Sequence, residues 1–141
     1  MESGKVSYRS KVSQANHNHM VRCLANYLQE QGYQVKADHI QWTLGRPEEI
    51  NNLFPDILAR KDGTDLIFEV ETCATYRDNR AIDRLNEFAQ KHVTYLILPT
   101  MSLGDMVFNP VPDAQKFLAE KGQTLVKLGT CNLQTGKITL T

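Results

Sequence analysis

Apolar residues recur along the chain at two different spacings, and each spacing predicts one kind of element. Spacings of three and four residues predict a first helix over residues 14–31, with Ser13 or Asn16 as its N-cap and Gly32 just beyond its end. The same spacing predicts a second helix after a cap at residue 78 or 79. The buried stripes are Met20, Val21, Leu24, Ala25, Tyr27 and Leu28 in the first helix, and Ile82, Leu85, Phe88 and Ala89 in the second.

Alternating and continuous apolar runs predict strands between and after these helices. The predicted strands cover residues 33–43, 56–61, 64–72, 93–98 and 124–128, and a small hairpin turns at residues 134–136. Pro99 is expected to end the fourth strand, and residues 100–112 are expected to form an irregular connection. A short third helix is expected from a cap at Asp113 to Lys121. This order of elements predicts an α/β fold in which helices flank a mixed central sheet.

The second and third predicted strands fix the positions of several acidic residues. The Asp-Gly dipeptide at residues 62–63 is a strong signal for a two-residue hairpin turn. Counting outward from that turn places Asp56 opposite Glu69, and strand alternation puts Glu71 on the same face. A three-residue loop would instead bring Ile57 opposite Glu69. The two-residue turn gathers three carboxylates, and because like charges repel unless a cation lies among them, it predicts a divalent-metal site.

These acidic residues and the order of elements resemble one known family. Pro55-Asp56, a spacer of about a dozen residues across the hairpin, and Glu69-Val70-Glu71 resemble the motif of the PD-(D/E)xK nuclease superfamily. The resemblance covers residues 14–98 and implies a restriction-endonuclease-like fold with an αβββαβ core. The elements after residue 98 are expected to form a C-terminal αββ addition.

The resemblance also implies roles for the motif residues. Asp56 and Glu69 would bind Mg²⁺ or Mn²⁺, and the backbone carbonyl of Val70 would be a further ligand. Glu71 stands where the family lysine is expected, and it is given a catalytic role, either binding a second ion or orienting the attacking water.

Three histidines are candidates for the same site. In many members of the family the first helix carries an acidic metal ligand, but the matching region of this chain offers only asparagines and histidines. His19 or His17 is therefore a candidate substitute ligand, and a surface histidine without a metal role is the alternative. His39, on the first predicted strand, either reaches the cleft or pairs with a neighbouring strand.

A row of basic residues follows the motif at helical spacing. Arg77, Arg80, Arg84 and Lys91 fall along one side of the second predicted helix. Guanidinium groups match phosphate oxygens bidentately, so the row is a candidate substrate-binding surface, with Arg80 foremost. The alternative is an ordinary solvated helix face.

Composition and charge narrow the class of protein. Sixteen basic and sixteen acidic residues give a net charge of zero, so any nucleic-acid contact must use a local patch. Three widely spaced cysteines form neither a CxxC pair nor a disulfide framework, which indicates a reduced, cytoplasmic protein. No apolar run approaches the length of a membrane span. We expect a flexible N-terminal arm over residues 1–12 and a single domain over residues 13–141.

The function implied by the resemblance is that of a Mg²⁺-dependent phosphodiesterase, an endonuclease that cuts DNA by attack of metal-activated water. A symmetric homodimer would be natural for cutting both strands. One alternative is a catalytically degenerate member of the fold that binds nucleic acid or protein. In another, the motif acids are structural: Asp56 starts a strand beside Pro55, and the glutamates form ion pairs with Arg60 or Lys36.

Overall fold

A seven-stranded mixed sheet flanked by helices dominates the computed structural model, which describes residues 9–141. The helices are α1 (Lys11–Glu30), α2 (Asn79–Ala89) and α3 (Val111–Glu120). The strands are β1 (Gln34–Ala37), β2 (Ile57–Lys61), β3 (Thr64–Val70), β4 (Val93–Leu103), β5 (Met106–Phe108), β6 (Lys127–Asn132) and β7 (Ile138–Leu140). This architecture confirms the predicted α/β class.

The strand order in the sheet is β1-β2-β3-β4-β6-β7, and β5 folds back onto β4. The β3–β4 and β4–β6 pairs are parallel, whereas the others are antiparallel. Parallel neighbours need a crossover connection, and α2 and α3 supply the two crossovers. The predicted order αβββαβ is therefore observed, and the later elements extend the same sheet.

Two hydrophobic clusters pack the helices on opposite faces of the sheet. Successive strand residues point to opposite faces, so Ile97 packs toward α1 while Leu96 and Leu98 pack toward α2 and α3. The α1 cluster includes Met20, Val21, Leu24, Leu28, Ile57, Phe68, Val70 and Ile138, and the other cluster includes Tyr76, Ile82, Leu85, Ala114, Phe117, Leu118 and Leu128. The open end of the β2–β3 hairpin consequently lies between α1 and α2.

The first helix begins earlier than predicted. Its N-cap is Ser10, whose hydroxyl accepts a hydrogen bond from the backbone N–H of Ser13, so the predicted caps at Ser13 and Asn16 are wrong. The helix ends at Glu30, and Gly32 follows with a φ of +93°, as predicted for a residue just beyond a helix end.

The predicted flexible arm is wrong for residues 9–12. Lys11 and Val12 belong to α1, and the guanidinium of Arg9 is buried against the backbone and side chain of the β3 end. The contact between Arg9 and the Glu71 carboxylate holds this segment at the end of β3. Residues 1–8, the rest of the predicted arm, lie outside the described residues.

The first strand is shorter than predicted. It ends at Ala37 rather than near residue 43, because His39 has a left-handed φ of +69° that no strand can continue through. The chain then folds back, and the indole Nε1 of Trp42 donates a hydrogen bond to the Val35 carbonyl at 2.7 Å.

The fourth strand passes through Pro99, which was expected to end it. The Ile97 carbonyl accepts a hydrogen bond from the Glu71 N–H, so the backbone of residue 99 faces the same side, beyond the end of β3. The missing N–H of proline therefore costs no ladder bond. The strand continues to Leu103 and turns into β5, within the stretch predicted to be irregular.

Two later boundaries also differ from prediction. α3 begins at Val111, before the predicted cap at Asp113, with Pro112 in the first turn, where a helix needs no N–H. β6 starts at Lys127 and not near residue 124. The terminal hairpin forms as predicted, with Gly136 at a φ of +77°.

Cys23, Cys73 and Cys131 are unpaired. Within residues 9–141, no helix combines the length and apolar character that crossing a membrane requires.

Candidate functional site

The turn of the β2–β3 hairpin has the predicted geometry. Asp62 and Gly63 have φ values of +52° and +77°, as two-residue turns with positive φ at both central positions require. Lys61 lies opposite Thr64, and the ladder continues to Ile57 opposite Phe68. The alternative three-residue loop is therefore excluded.

At the open end of the hairpin, the side chains of Asp56 and Glu69 each accept a hydrogen bond from a backbone N–H on the opposite side of the hairpin. The Asp56 N–H donates to Glu69 Oε2 at 2.8 Å, and the Val70 N–H donates to Asp56 Oδ2 at 2.8 Å. The predicted juxtaposition of Asp56 and Glu69 is confirmed. Asp56, Glu69 and Glu71 are almost fully buried, with 4%, 1% and 1% of each residue exposed respectively.

Asp56 contacts two imidazoles. His17 Nε2 lies 3.2 Å from Asp56 Oδ2, and His39 Nε2 lies 3.3 Å from Asp56 Oδ1. The two rings meet edge to face, with centroids 4.9 Å apart. Burial alone would raise the pKa of Asp56, but its interactions with His17 and His39 outweigh that effect and hold the pKa well below the ordinary value.

His17 is fully buried in α1, so its interpretation as a surface histidine is wrong. It precedes Met20 by three residues and Val21 by four, which places it on the apolar stripe of the helix. His19 is two residues further along the helix, and helical residues two positions apart point in nearly opposite directions. His19 is consequently exposed, with Cys23 Sγ 3.7 Å from its Nε2, and it lies outside the cluster formed by His17, His39 and Asp56.

His39 reaches the cleft from the turn after β1. Its left-handed backbone is supported by Asp38, whose Oδ1 accepts a hydrogen bond from the His39 N–H at 2.9 Å. The hydrogen bond with Asp56 raises the pKa of His39, although burial opposes the shift. No turn was predicted at this position, because the left-handed residue is neither glycine nor asparagine.

Arg84, on α2, is the partner of Glu69. Arg84 Nε donates to Glu69 Oε1 at 2.6 Å, and Arg84 Nη2 donates to the Phe54 carbonyl at 2.6 Å. Burial and the nearby charge of Asp56 nevertheless raise the pKa of Glu69 to about 8, against the opposing effect of Arg84. Glu69 therefore contacts α2, whereas Asp56 contacts α1.

Glu71 and the Val70 carbonyl share another arginine. Arg9 Nη2 lies 3.4 Å from Glu71 Oε1 and 3.5 Å from the Val70 carbonyl oxygen. The Thr75 hydroxyl also donates to Glu71 Oε1 at 2.6 Å. Burial raises the pKa of Glu71 to about 7, and the charge of Asp56 contributes to the shift. Sequence reasoning missed Arg9, because only the folded chain brings it to Glu71.

The predicted row of arginines is divided. Arg77 precedes α2 and pairs with Asp113 at 2.8 Å, away from the carboxylate cluster, and the Tyr76 hydroxyl binds the same carboxylate. Arg80 and Arg84 remain together, because both line a groove of about 410 Å³ that also contains Leu53, Asp83 and Glu87. Arg80 is exposed there, while Arg84 reaches inward to Glu69.

The partners expected for purely structural acids are wrong. Arg60 pairs with Asp65 at 2.6 Å, and Lys36 lies 3.7 Å from Glu48. Neither basic residue contacts Asp56 or Glu69 in these pairs.

Several donors here are ligands that divalent metals use. His17, His39 and Asp56 each offer a ligand atom, and these atoms lie within 4.8 Å of one another. Both oxygens of Glu69 and Oε1 of Glu71 already accept hydrogen bonds, from arginine, hydroxyl or backbone donors. The cluster can therefore hold a cation on the imidazole side of Asp56.

No protein-family model matches the chain, and no curated protein matches it. Among solved structures, the chain is similar to the crystal structure of a protein of unknown function, AF1548, with 15% sequence identity and a TM-score of 0.45. The alignment covers 86% of this chain and 59% of that one, so the chain spans about three-fifths of the length of that neighbour.

Proposed function

We propose that this chain is a divalent-metal-dependent phosphodiesterase that cuts DNA, a PD-(D/E)xK-type endonuclease with Glu71 in the position of the motif lysine. The observation that carries the proposal is the burial of three carboxylates, Asp56, Glu69 and Glu71, around one strand end. Burying a carboxylate costs free energy, and such clusters with perturbed pKa values concentrate at functional sites.

The donor set fits a divalent ion, because Asp56 presents carboxylate oxygens beside two imidazoles. When bound, the ion would supply Lewis-acid polarisation of a phosphoryl group and activation of a water. We propose Mg²⁺ or Mn²⁺ as the ion, with Asp56 as its principal ligand.

Glu71 is the proposed proton acceptor. A pKa raised to about 7 lets a carboxylate exchange a proton with an attacking water near neutral pH. Thr75 and Arg9 hold the carboxylate in place through contacts to Oε1. A glutamate so positioned takes over the proton-handling part of the role of the missing lysine.

Arg80 and Arg84 are the proposed phosphate-binding residues. They line one groove beside Glu69, and guanidinium groups placed there can stabilise the charge that develops on a phosphodiester during cleavage. Arg77 has no part in this proposal, because it pairs with Asp113 elsewhere.

A second candidate function is a binding module that does not cut. Arg84 and Arg9 already compensate the charges of Glu69 and Glu71, so these acids have partners without a metal ion. Such a chain would bind nucleic acid or protein through the same groove. For either function we propose a cytoplasmic location, because the three cysteines are unpaired.

The test is a plasmid-nicking assay with Mg²⁺ or Mn²⁺, combined with DNA binding by fluorescence anisotropy. We expect metal-dependent nicking by the wild type and a loss of about 100-fold or more in Asp56→Asn. Asp105→Asn, at the exposed β4–β5 turn, is the matched control and should nick normally. DNA binding without nicking would favour the second function, and neither binding nor nicking would contradict both.

A further inference from the structure

Two imidazole nitrogens and one carboxylate have the spacing of ligands that share an ion. His17 Nε2 and His39 Nε2 lie 3.2 Å and 3.3 Å from different oxygens of Asp56. Charge-assisted N–H···O hydrogen bonds are about 2.7–2.9 Å long, so both contacts are long for hydrogen bonds of that kind. Ligands held about 2.0–2.1 Å from a tetrahedral ion lie about 3.3–3.4 Å apart. The observed separations are close to that spacing.

The hydrogen-bond partner of His17 Nδ1 bears on whether Nε2 faces Asp56 with a lone pair or with a proton. Asn18 Oδ1 accepts a hydrogen bond from Gln14 Nε2 at 2.8 Å, and it lies 3.0 Å from His17 Nδ1. A His17 ring that carries a proton on Nδ1 donates it to this oxygen. Nε2 of a neutral ring is then a lone pair facing a carboxylate oxygen. The contact requires a positive charge between them, either a second proton or a metal ion.

This hydrogen bond from Nδ1 is the contact that metal-binding histidines usually make. Their other ring nitrogen donates to a carbonyl or carboxylate, which fixes the ring and its tautomer.

The oxygen ligands implied by the family resemblance have other partners. Glu69 Oε2 accepts from the Asp56 N–H, and Oε1 accepts from Arg84. The Val70 carbonyl is contacted by Arg9. The imidazole nitrogens of His17 and His39 lie directly beside the oxygens of Asp56. Imidazole suits Mn²⁺, Co²⁺ and Zn²⁺ progressively better, whereas Mg²⁺ prefers a shell of oxygens.

We infer that His17, His39 and Asp56 form the primary metal centre of this chain, and that the centre takes a transition-metal ion such as Mn²⁺, Co²⁺ or Zn²⁺ in preference to Mg²⁺. Three protein ligands leave coordination positions open, as in catalytic sites. His39, with 36% of its side chain exposed, lies on the solvent side from which ions and water enter. The inference rests on the proposed function only in taking Asp56 as a metal ligand.

Metal binding is measured by calorimetric titration of MnCl₂, ZnCl₂ and MgCl₂ into the full chain without nucleic acid. We expect one tight site for Mn²⁺ and Zn²⁺, with Zn²⁺ bound at least about 100-fold more tightly than Mg²⁺. His39→Asn should weaken Zn²⁺ binding at least about tenfold. Asparagine is chosen because it tolerates the left-handed backbone at this position. His17→Gln, monitored by circular dichroism for folding, should have the same effect.

The matched control is His19→Gln, a change of the same residue type on the opposite side of α1. This control is necessary because His19 and Cys23 lie close enough to bind Zn²⁺ by themselves. The tight site should survive in His19→Gln. In NMR spectra, substoichiometric Mn²⁺ should broaden the imidazole signals of His17 and His39 before those of His19 and His92, the other histidines of the chain.

Four outcomes would overturn the inference: loss of tight binding in His19→Gln, unchanged binding in His39→Asn, Mg²⁺ affinity equal to that of Zn²⁺, or no binding of any ion. The proposed function fails separately. If the histidine-dependent site binds Mn²⁺ but DNA stays intact with every ion, the metal centre stands and the nuclease does not. If nicking depends on Asp56 but neither histidine affects metal affinity, the nuclease stands and this centre does not.

Discussion

The two ends of the β2–β3 hairpin carry the same kind of ion pair in opposite surroundings. At the turn end, Arg60 contacts both carboxylate oxygens of Asp65, at 2.6 and 3.0 Å, and the two side chains are 52% and 25% exposed. At the open end, Arg84 contacts Glu69 at 2.6 Å, and the side chains are 15% and 2% exposed.

Asp65 and Glu69 are both paired with an arginine, but their pKa values shift in opposite directions. The hydrogen bond with Arg60 lowers the pKa of the exposed Asp65. The pKa of Glu69 is raised to about 8, because burial and the neighbouring Asp56 outweigh Arg84. An arginine therefore determines the direction of the pKa shift of a carboxylate near the surface. In the interior it only reduces the shift that burial and the neighbouring charge cause. The contributions of the two pairs to the free energy of unfolding should differ in the same way. An exposed pair contributes little, whereas breaking a buried pair is costly.

The strongest test of this contrast is Arg84→Met. The variant leaves Glu69 without its guanidinium partner and removes the donor to the Phe54 carbonyl. We expect the free energy of unfolding to fall by about 3–5 kcal/mol, measured by urea denaturation. Arg80→Met, on the exposed side of the same helix, is the control and should cost much less. An Arg84→Met protein as stable as the wild type would remove the distinction between the two ends.

An intermediate effect is expected from pH. The folded pKa values of Glu69 and Glu71, about 8 and about 7, exceed their ordinary value of 4.5, so between about pH 5 and 8 the native state binds more protons than the unfolded chain. Stability should therefore fall as the pH rises through this window, and the raised pKa of His39 acts in the same direction. Asp65, with a lowered pKa, adds stability that is lost only as the pH falls below its ordinary 3.8.

Glu71→Gln should flatten this slope, because the glutamine cannot titrate. The measurement is urea denaturation at several pH values from 5 to 8, with Glu120→Gln, an exposed residue at the end of α3, as control. A wild-type slope that Glu71→Gln leaves unchanged would show that Glu71 is ionised in the folded protein at all these pH values.

The smallest effect is expected at the turn end. Asp65→Asn breaks the pair with Arg60, but both groups keep access to water. The free energy of unfolding at pH 7 should stay nearly unchanged, because solvent screens the exposed pair. A loss comparable to that of Arg84→Met would mean that burial is not what separates the two ends.

Local signals predicted the acidic part of the site. Asp62-Gly63 fixed the hairpin register, and the register alone placed Asp56 beside Glu69. Helix boundaries depended on capping contacts that sequence spacing locates less well, as at Ser10. The path of β4 through Pro99 was not predictable from the proline itself, because its cost depends on where β3 ends.

The remaining site residues arrive from a distance in the chain. A signal for His17 existed, since it continues the apolar stripe through Met20 and Val21, but its partner was unknown without the fold. Arg9 reaches Glu71 across 62 residues, and no local pattern encodes such a contact. Arg84 stood in a row that suggested phosphate binding, and only the packing of α2 revealed its contact with Glu69.

The crossed hydrogen bonds at the hairpin's open end have a consequence for recognising active relatives. Asp56 and Glu69 each accept a hydrogen bond from a backbone N–H at the end of the other's strand. Each acid therefore stabilises the hairpin and is also a candidate metal ligand. A chain with this fold and no catalytic activity would still need both acids, because losing either would loosen the hairpin. The two acids are therefore explained by the architecture whether or not the site is catalytic. A search for active relatives that relied on these two acids alone would therefore also find inactive proteins.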